Sequence, residues 1–143
     1  MNYLFDTCVI SEVIRPKPAA KVLRWLEQIP NDRIYLSVLT LGELRKGILR
    51  LDDSRKAHRL QTWLDTDVRA RFQNRILPID AEVALEWGKL CAESELAGHL
   101  RPAIDALLAA TAITHHLTLV TRNTADVAFT RAEVFNPWAE LRS

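Results

Sequence analysis

Residues 102–120 read Pro-Ala-Ile-Asp-Ala-Leu-Leu-Ala-Ala-Thr-Ala-Ile-Thr-His-His-Leu-Thr-Leu-Val. The stretch from Ala103 to Thr114 is apolar nearly all round, which predicts a buried helix, and Pro102 stands where proline commonly opens one. Leu117-Thr118-Leu119-Val120 follows as the clearest strand in the chain. Working outward, Asn2-Tyr3-Leu4-Phe5 reads as a first strand that stops at Asp6-Thr7, with a short helix over Cys8 to Ile14 that Asp6 can cap. Val22, Leu26 and Ile29 recur at helical spacing between Pro18 and Ile29, and Arg33 to Ser37 reads as a second strand. Two amphipathic helices come next. One carries Leu41, Leu44, Ile48 and Leu51; the other, after Asp52-Asp53-Ser54, carries Ala57, Leu60, Leu64, Val68 and Phe72. Ile76 to Ile79 is a third strand, placed at an edge by Pro78. Val83, Trp87, Leu90 and Cys91 mark a helix ending near Gly98, and Val134-Phe135 is a last short strand. Strands separated by helices imply a parallel sheet covered on both faces, because parallel neighbours need a crossover. The expected fold is three-layer α/β, one domain over residues 1–143.

Composition agrees with an ordinary globular chain. Apolar residues make up 48% and charged residues 26%, with four Gly and six Pro, which excludes collagen-like, low-complexity and disordered classes. The net charge of +1 sets up no whole-molecule field, so any nucleic-acid contact must come from local patches. Residues 44–75 carry nine basic and four acidic side chains, whereas residues 76–143 carry five and nine. The middle of the chain is the basic part. Cys8 and Cys91 form no C-x-x-C pattern and no leader-like segment opens the chain, which predicts a reduced, cytoplasmic protein. No apolar run approaches the ~20 residues of a membrane span.

Glycines stand only at 42, 47, 88 and 98, so dinucleotide, P-loop and nucleophile-elbow motifs are excluded. His58, His99, His115 and His116 have no zinc-ligand spacing, and the last two sit where cations complement a helix C-terminus. Carboxylates remain. Asp6 ends the first strand, at the carboxyl edge where open α/β sheets place ligands. Glu43 lies on the helix after the second strand, where a surface pair with Lys46 is an alternative. Asp105 lies in the first turn of the buried helix, sharing a face with Leu108, Ala109 and Ala112, and either pairs with Arg101 or serves chemistry. Asp126 follows the strand 117–120 in a loop. In a parallel sheet these four can meet at one edge, where they would repel without cations. Hard divalent ions resolve that conflict, which points to a metal site for phosphate chemistry.

The segments Tyr3 to Glu12, Leu39 to Leu44, Ile104 to Ala112 and Leu119 to Asp126 resemble the signature blocks of PIN-domain ribonucleases, specifically VapC-type toxins of bacterial toxin–antitoxin pairs. Asn136-Pro137-Trp138 is similar to a FitB-like subgroup, so the resemblance runs from Asn2 to Trp138. It implies a three-layer α/β/α sandwich around a short, mainly parallel sheet. It also implies an endoribonuclease whose Asp6, Glu43, Asp105 and Asp126 bind Mg²⁺ or Mn²⁺, a homodimer, and a cognate antitoxin that blocks the site and binds operator DNA. Thr121 and Asn123 are candidates for positioning the scissile phosphate, and Arg55, Lys56 and Arg59 for RNA contact. Cys8 departs from the family, which usually has Asn there; a thiol is a weaker donor and a poor ligand for a hard cation. Two other readings stand beside this one. A receiver-like signalling domain would want a second acid beside Asp6 and a Lys at position 122, where this chain has Thr7 and Arg122. A catalytically weak subunit would serve mainly as an antitoxin-binding co-repressor on DNA.

Overall fold

The computed structural model describes residues 1–128 and 130–139; the end of the expected domain at residue 143 lies outside them. The chain runs β1 (Tyr3–Phe5), α1 (Thr7–Val13), α2 (Ala20–Glu27), β2 (Ile34–Ser37), α3 (Val38–Leu49), α4 (Ser54–Thr62), a π-helical stretch Trp63–Val68, α5 (Arg69–Arg71), β3 (Ile76–Leu77), α6 (Ala81–Leu96), α7 (Ala103–His115), β4 (Thr118–Val120) and β5 (Val134–Phe135). The strands form one sheet in the order β3-β2-β1-β4-β5, and every pairing is parallel. The expected α/β fold and mainly parallel sheet are therefore observed.

Successive residues of a strand face opposite sides, and the two inner strands show what this does. Phe5 and Val120 enter one core with Val9, Ile10, Leu44, Leu64 and Phe72. Leu4 and Leu119 enter a second core with Leu90, Leu108, Ala109 and Ala112. Two cores on opposite faces make three layers. Small alanines let α7 lie close against the sheet, and Ala106, Leu108, Ala109, Ala110, Thr111 and Ala112 are all buried.

Two details differ from the sequence reading. The helix expected over 57–72 is not uniform, because Trp63–Val68 widens to π geometry before α5. β3 stops at Leu77, so Pro78 lies beyond the strand rather than in it, although β3 does form an edge. At the end of α7, His116 adopts φ 56°, the left-handed cap that glycine usually takes. Among the described residues, no helix is long and apolar enough to cross a membrane.

The chain builds β1, β2 and β3 in one direction, then returns through α6 and α7 to place β4 on the other side of β1. That reversal makes a topological switch point between β1 and β4, where a crevice opens at the carboxyl ends. Leu4 is fully buried beneath it. Leu4→Ala is expected to cost about 3 kcal/mol, seen as a lower urea midpoint with an unchanged slope.

Candidate active site at the carboxyl edge of the sheet

The switch point is closed by hydrogen bonds around Asp6. Asp6 N donates to Val120 O at 3.0 Å, which continues the β1–β4 ladder by one residue. The Asp6 side chain is 5% exposed. Its Oδ1 accepts from Thr7 N at 2.7 Å, capping α1, and its Oδ2 accepts from Thr121 Oγ1 at 2.6 Å and from Cys8 Sγ at 3.4 Å. Capping and site-building, which the sequence posed as alternatives, are two oxygens of one carboxylate. Thr7 Oγ1 donates to Glu43 Oε1 at 2.5 Å, tying α1 to the second turn of α3. Ser37 caps α3 through Leu39 N, so β2 turns into the helix at once and presents Glu43 near the same edge.

Asp105 is half-buried in the first turn of α7. Burial, and then the negative charges of Asp6, Asp126 and Glu43, push its carboxyl up to about 6. Three acids thus act on the Asp105 carboxyl through space. Every one of these influences raises Asp105, whereas an ion pair would lower it. The guanidinium considered as its partner, Arg101, donates from Nη1 to Ala125 O at 3.2 Å, bracing the turn Thr124–Val127 that carries Asp126. As the side chains stand, no three His, Cys, Asp or Glu among the described residues close round a common point. The arrangement is an open acidic cluster of hard oxygen donors, a set that fits Mg²⁺ or Mn²⁺ better than a softer ion.

The remaining candidates fall into different places. Thr121 is 2% exposed; its hydroxyl donates to Asp6 and accepts from Asn123 N at 3.0 Å. Its one proton is directed at the Asp6 carboxylate, so its hydroxyl orients that carboxylate. Asn123 is exposed beside it. Burial and then the Asp6 charge push the Cys8 thiol up to about 11, which keeps it protonated at neutral pH. That S–H donates to Asp6 while Sγ accepts from Arg122 N at 3.4 Å, so the thiol bridges α1 and the loop after β4, with longer bonds than an amide would make. A groove of about 230 Å³ is lined by Thr7, Glu43, Arg15 and Lys56 together with the apolar Leu60 and Trp63. Arg55, Lys56 and Arg59 are all exposed on α4, but only Lys56 lines this groove.

Sequence reasoning passed over Thr7 and Glu12. Thr7 follows Asp6 directly, and the Asp-Thr pair at a strand end was its only local signal. Glu12 is 3% exposed and its partners include Trp138, which no local pattern connects to it.

The shift at Asp105 has a consequence for stability. A folded pKa above the unfolded value means that the folded state binds more protons, so metal-free protein loses stability as pH rises from about 4 through about 6. Asp105→Asn is expected to melt higher than wild type in EDTA at pH 7. The gain should be about 1 kcal/mol, because partial solvation screens the ~1.4 kcal/mol per pKa unit that full burial would give. The difference should vanish below pH 4.

Comparison with known proteins agrees with this geometry. A family model described as the PIN domain matches residues 3–133. The chain is 38% identical over 135 residues to a protein named Toxin FitB from Neisseria gonorrhoeae, covering 94% of this chain and 97% of that one. It is 30% identical over 135 residues to a protein named VapC ribonuclease Y4jK from Sinorhizobium fredii, covering 94% and 96%. A solved structure of FitAB bound to an IR36 DNA fragment superposes with a TM-score of 0.92 at 35% identity, covering 99% of this chain and 98% of that one. The family match spans the positions of all four acids and four of the five strands, and the chain belongs to the PIN-domain family.

Proposed function

We propose that this protein is the toxin of a toxin–antitoxin pair and an endoribonuclease that depends on Mg²⁺ or Mn²⁺. What supports the reading is that Asp6, Asp126 and Glu43 stand near enough to Asp105 for their charges to push its carboxyl upward, with Thr7 bonded to both Asp6 and Glu43. Relatives named Toxin FitB and VapC ribonuclease support it.

Asp6, Asp105 and Asp126 would hold the cation, with Glu43 completing the shell or orienting a water. When bound, such an ion lowers the pKa of a coordinated water and stabilises charge on the attacked phosphate and the leaving oxygen. The protein supplies orientation. Thr121, Cys8 and the Thr7 N–H fix the Asp6 carboxylate, and the Thr7 hydroxyl fixes Glu43. Asn123 is the exposed amide best placed by sequence to position a scissile phosphate. The groove toward Lys56 and Arg15 suits the flanking RNA backbone, since cations beside an apolar floor can meet phosphates and bases in turn.

The antitoxin would enter the same edge. A guanidinium or ammonium from it can pair with the clustered carboxylates and replace the metal's charge. FitAB bound to a DNA fragment supports a larger toxin–antitoxin assembly on DNA; we take the DNA to be the operator and the toxin within it to be a homodimer of this chain. In the rival reading, a weak subunit with Cys8 in the usual Asn position would bind antitoxin and DNA without cleaving RNA.

Asp6→Asn and Asp105→Asn should each abolish toxicity and Mg²⁺-dependent cleavage of RNA by the purified protein while leaving circular dichroism unchanged. Cleavage that persists in EDTA or in either variant would contradict the metal mechanism, and no cleavage by wild type would favour the weak-subunit reading. Lys56→Gln should make the salt dependence of RNA binding shallower by about 0.7 in logarithmic slope, the share of one single-strand phosphate contact. Arg55→Gln and Arg59→Gln, outside the groove, should leave that slope unchanged.

A further inference from the structure

Glu12 closes a cluster that the reaction does not use directly. It sits at the end of α1 with its side chain buried. Oε2 accepts from Ala19 N at 2.8 Å, joining the end of α1 to the start of α2. Oε1 accepts from Arg15 Nη1 at 3.2 Å and Trp138 Nε1 at 3.3 Å, and Arg122 Nη2 lies 3.9 Å away. The Ala19 N–H holds the carboxyl below its ordinary range, against the opposing effect of burial, so it stays charged at neutral pH.

An uncharged acceptor would suffice to satisfy Ala19 N and the Trp138 indole. What the charge adds is a hold on two guanidiniums, and Arg122 is the informative one. Its side chain is half exposed, so ordering it costs rotamer entropy that something must offset. Trp138 stacks beneath its guanidinium at 4.3 Å, and Glu12 supplies the counter-charge. The Asn136-Pro137-Trp138 segment is built to present that ring: Trp138 N donates to Asn136 Oδ1 at 2.9 Å, and Pro137 is buried.

Arg122 is therefore fastened at two ends. Its backbone N–H is held by Cys8 in the first turn of α1, and its side chain by Glu12 at the last residues of the same helix. The segment that follows carries Asn123, which bonds to Thr121 Oγ1, and Asp126, whose N–H donates to Asn123 O at 3.1 Å. The loop that carries Asp126 is thus tied to both ends of α1, the helix whose N-terminus Asp6 caps.

We propose that Glu12 is a positioning residue for the acidic site, acting through Arg122 and Trp138 to hold the 121–126 loop, and hence Asp126, against the α1 end that Asp6 caps. The inference rests on the metal-site reading above. Partners outside the coordination shell commonly alter metal affinity tenfold to a hundredfold, which sets the size of the effect.

The test uses Glu12→Gln, Arg122→Gln and the double variant, with Mn²⁺ as the probe. Free Mn²⁺ is followed by electron paramagnetic resonance, and amide hydrogen exchange of residues 123–126 is measured without metal. Each single variant is expected to bind Mn²⁺ about tenfold more weakly and to exchange these amides faster. The double variant should lose no more than the worse single, because both changes break one interaction. Should Glu12→Gln fail to fold, Arg122→Gln decides alone, its side chain being half exposed. Wild-type exchange and affinity in Arg122→Gln, or losses that multiply in the double variant, overturn the inference. Absence of Mn²⁺ binding by wild type overturns the metal reading along with it, whereas tight wild-type binding matched by Arg122→Gln overturns this inference alone.

Discussion

Parallel pairing of β1 with β4 is the contact on which the site depends. The register Tyr3 to Thr118, Leu4 to Leu119 and Phe5 to Val120 sends two chains out of the sheet side by side. Asp6 and Thr121 are then neighbours, although 115 positions separate them in sequence. A slip in register would move Leu4 and Phe5 relative to their two cores and separate the carboxylate from its hydroxyl donor. The same buried strands that give the domain its cores therefore fix the geometry of its chemistry.

Holding like charges at that edge works against folding. Asp105 bears the cost most clearly, pressed by burial and by three other acids. The fold offsets part of it locally. Asp6 caps α1 and Asp105 lies in the first turn of α7, so both sit where the helix dipole favours negative charge. Thr7, Cys8 and Thr121 direct their protons at Asp6 and Glu43. Residual repulsion is what a cation, or a guanidinium from a protein partner, would relieve. Stability forgone at a functional site in this way is common in natural proteins.

Much of this was legible in the residues. The all-round apolar helix 103–114, the strand 117–120 and the separation of strands by helices were enough for a parallel sheet with two covered faces. Asp6, at a strand end, and Asp105, in the first turn of a buried helix, stood out individually, whereas Glu43 and Asp126 gained weight only as members of the set. Their convergence followed from topology, not from any local motif. Less was legible wherever a residue's role depends on a distant partner. The bond from the Thr121 hydroxyl to Asp6 was hidden, because the two residues lie 115 positions apart. Lys56 could not be separated from Arg55 and Arg59, since helical periodicity identifies an exposed face but not the groove beside part of it. Glu12 fell within the Tyr3 to Glu12 block, but its role was hidden because its indole partner is 126 positions away. The π-helical stretch Trp63–Val68 was hidden because its apolar spacing still reads as an ordinary helix.

The central claim is that four carboxylates share one electrostatic site for a divalent cation. Titration of the side-chain carboxyl carbons by nuclear magnetic resonance, with and without Mg²⁺, tests it most directly. Asp105 is expected to titrate at about 6 in EDTA and to move sharply downward when Mg²⁺ is added, as a bound cation favours the charged form. An Asp105 that titrates near the ordinary value of about 4 and ignores Mg²⁺ would contradict it.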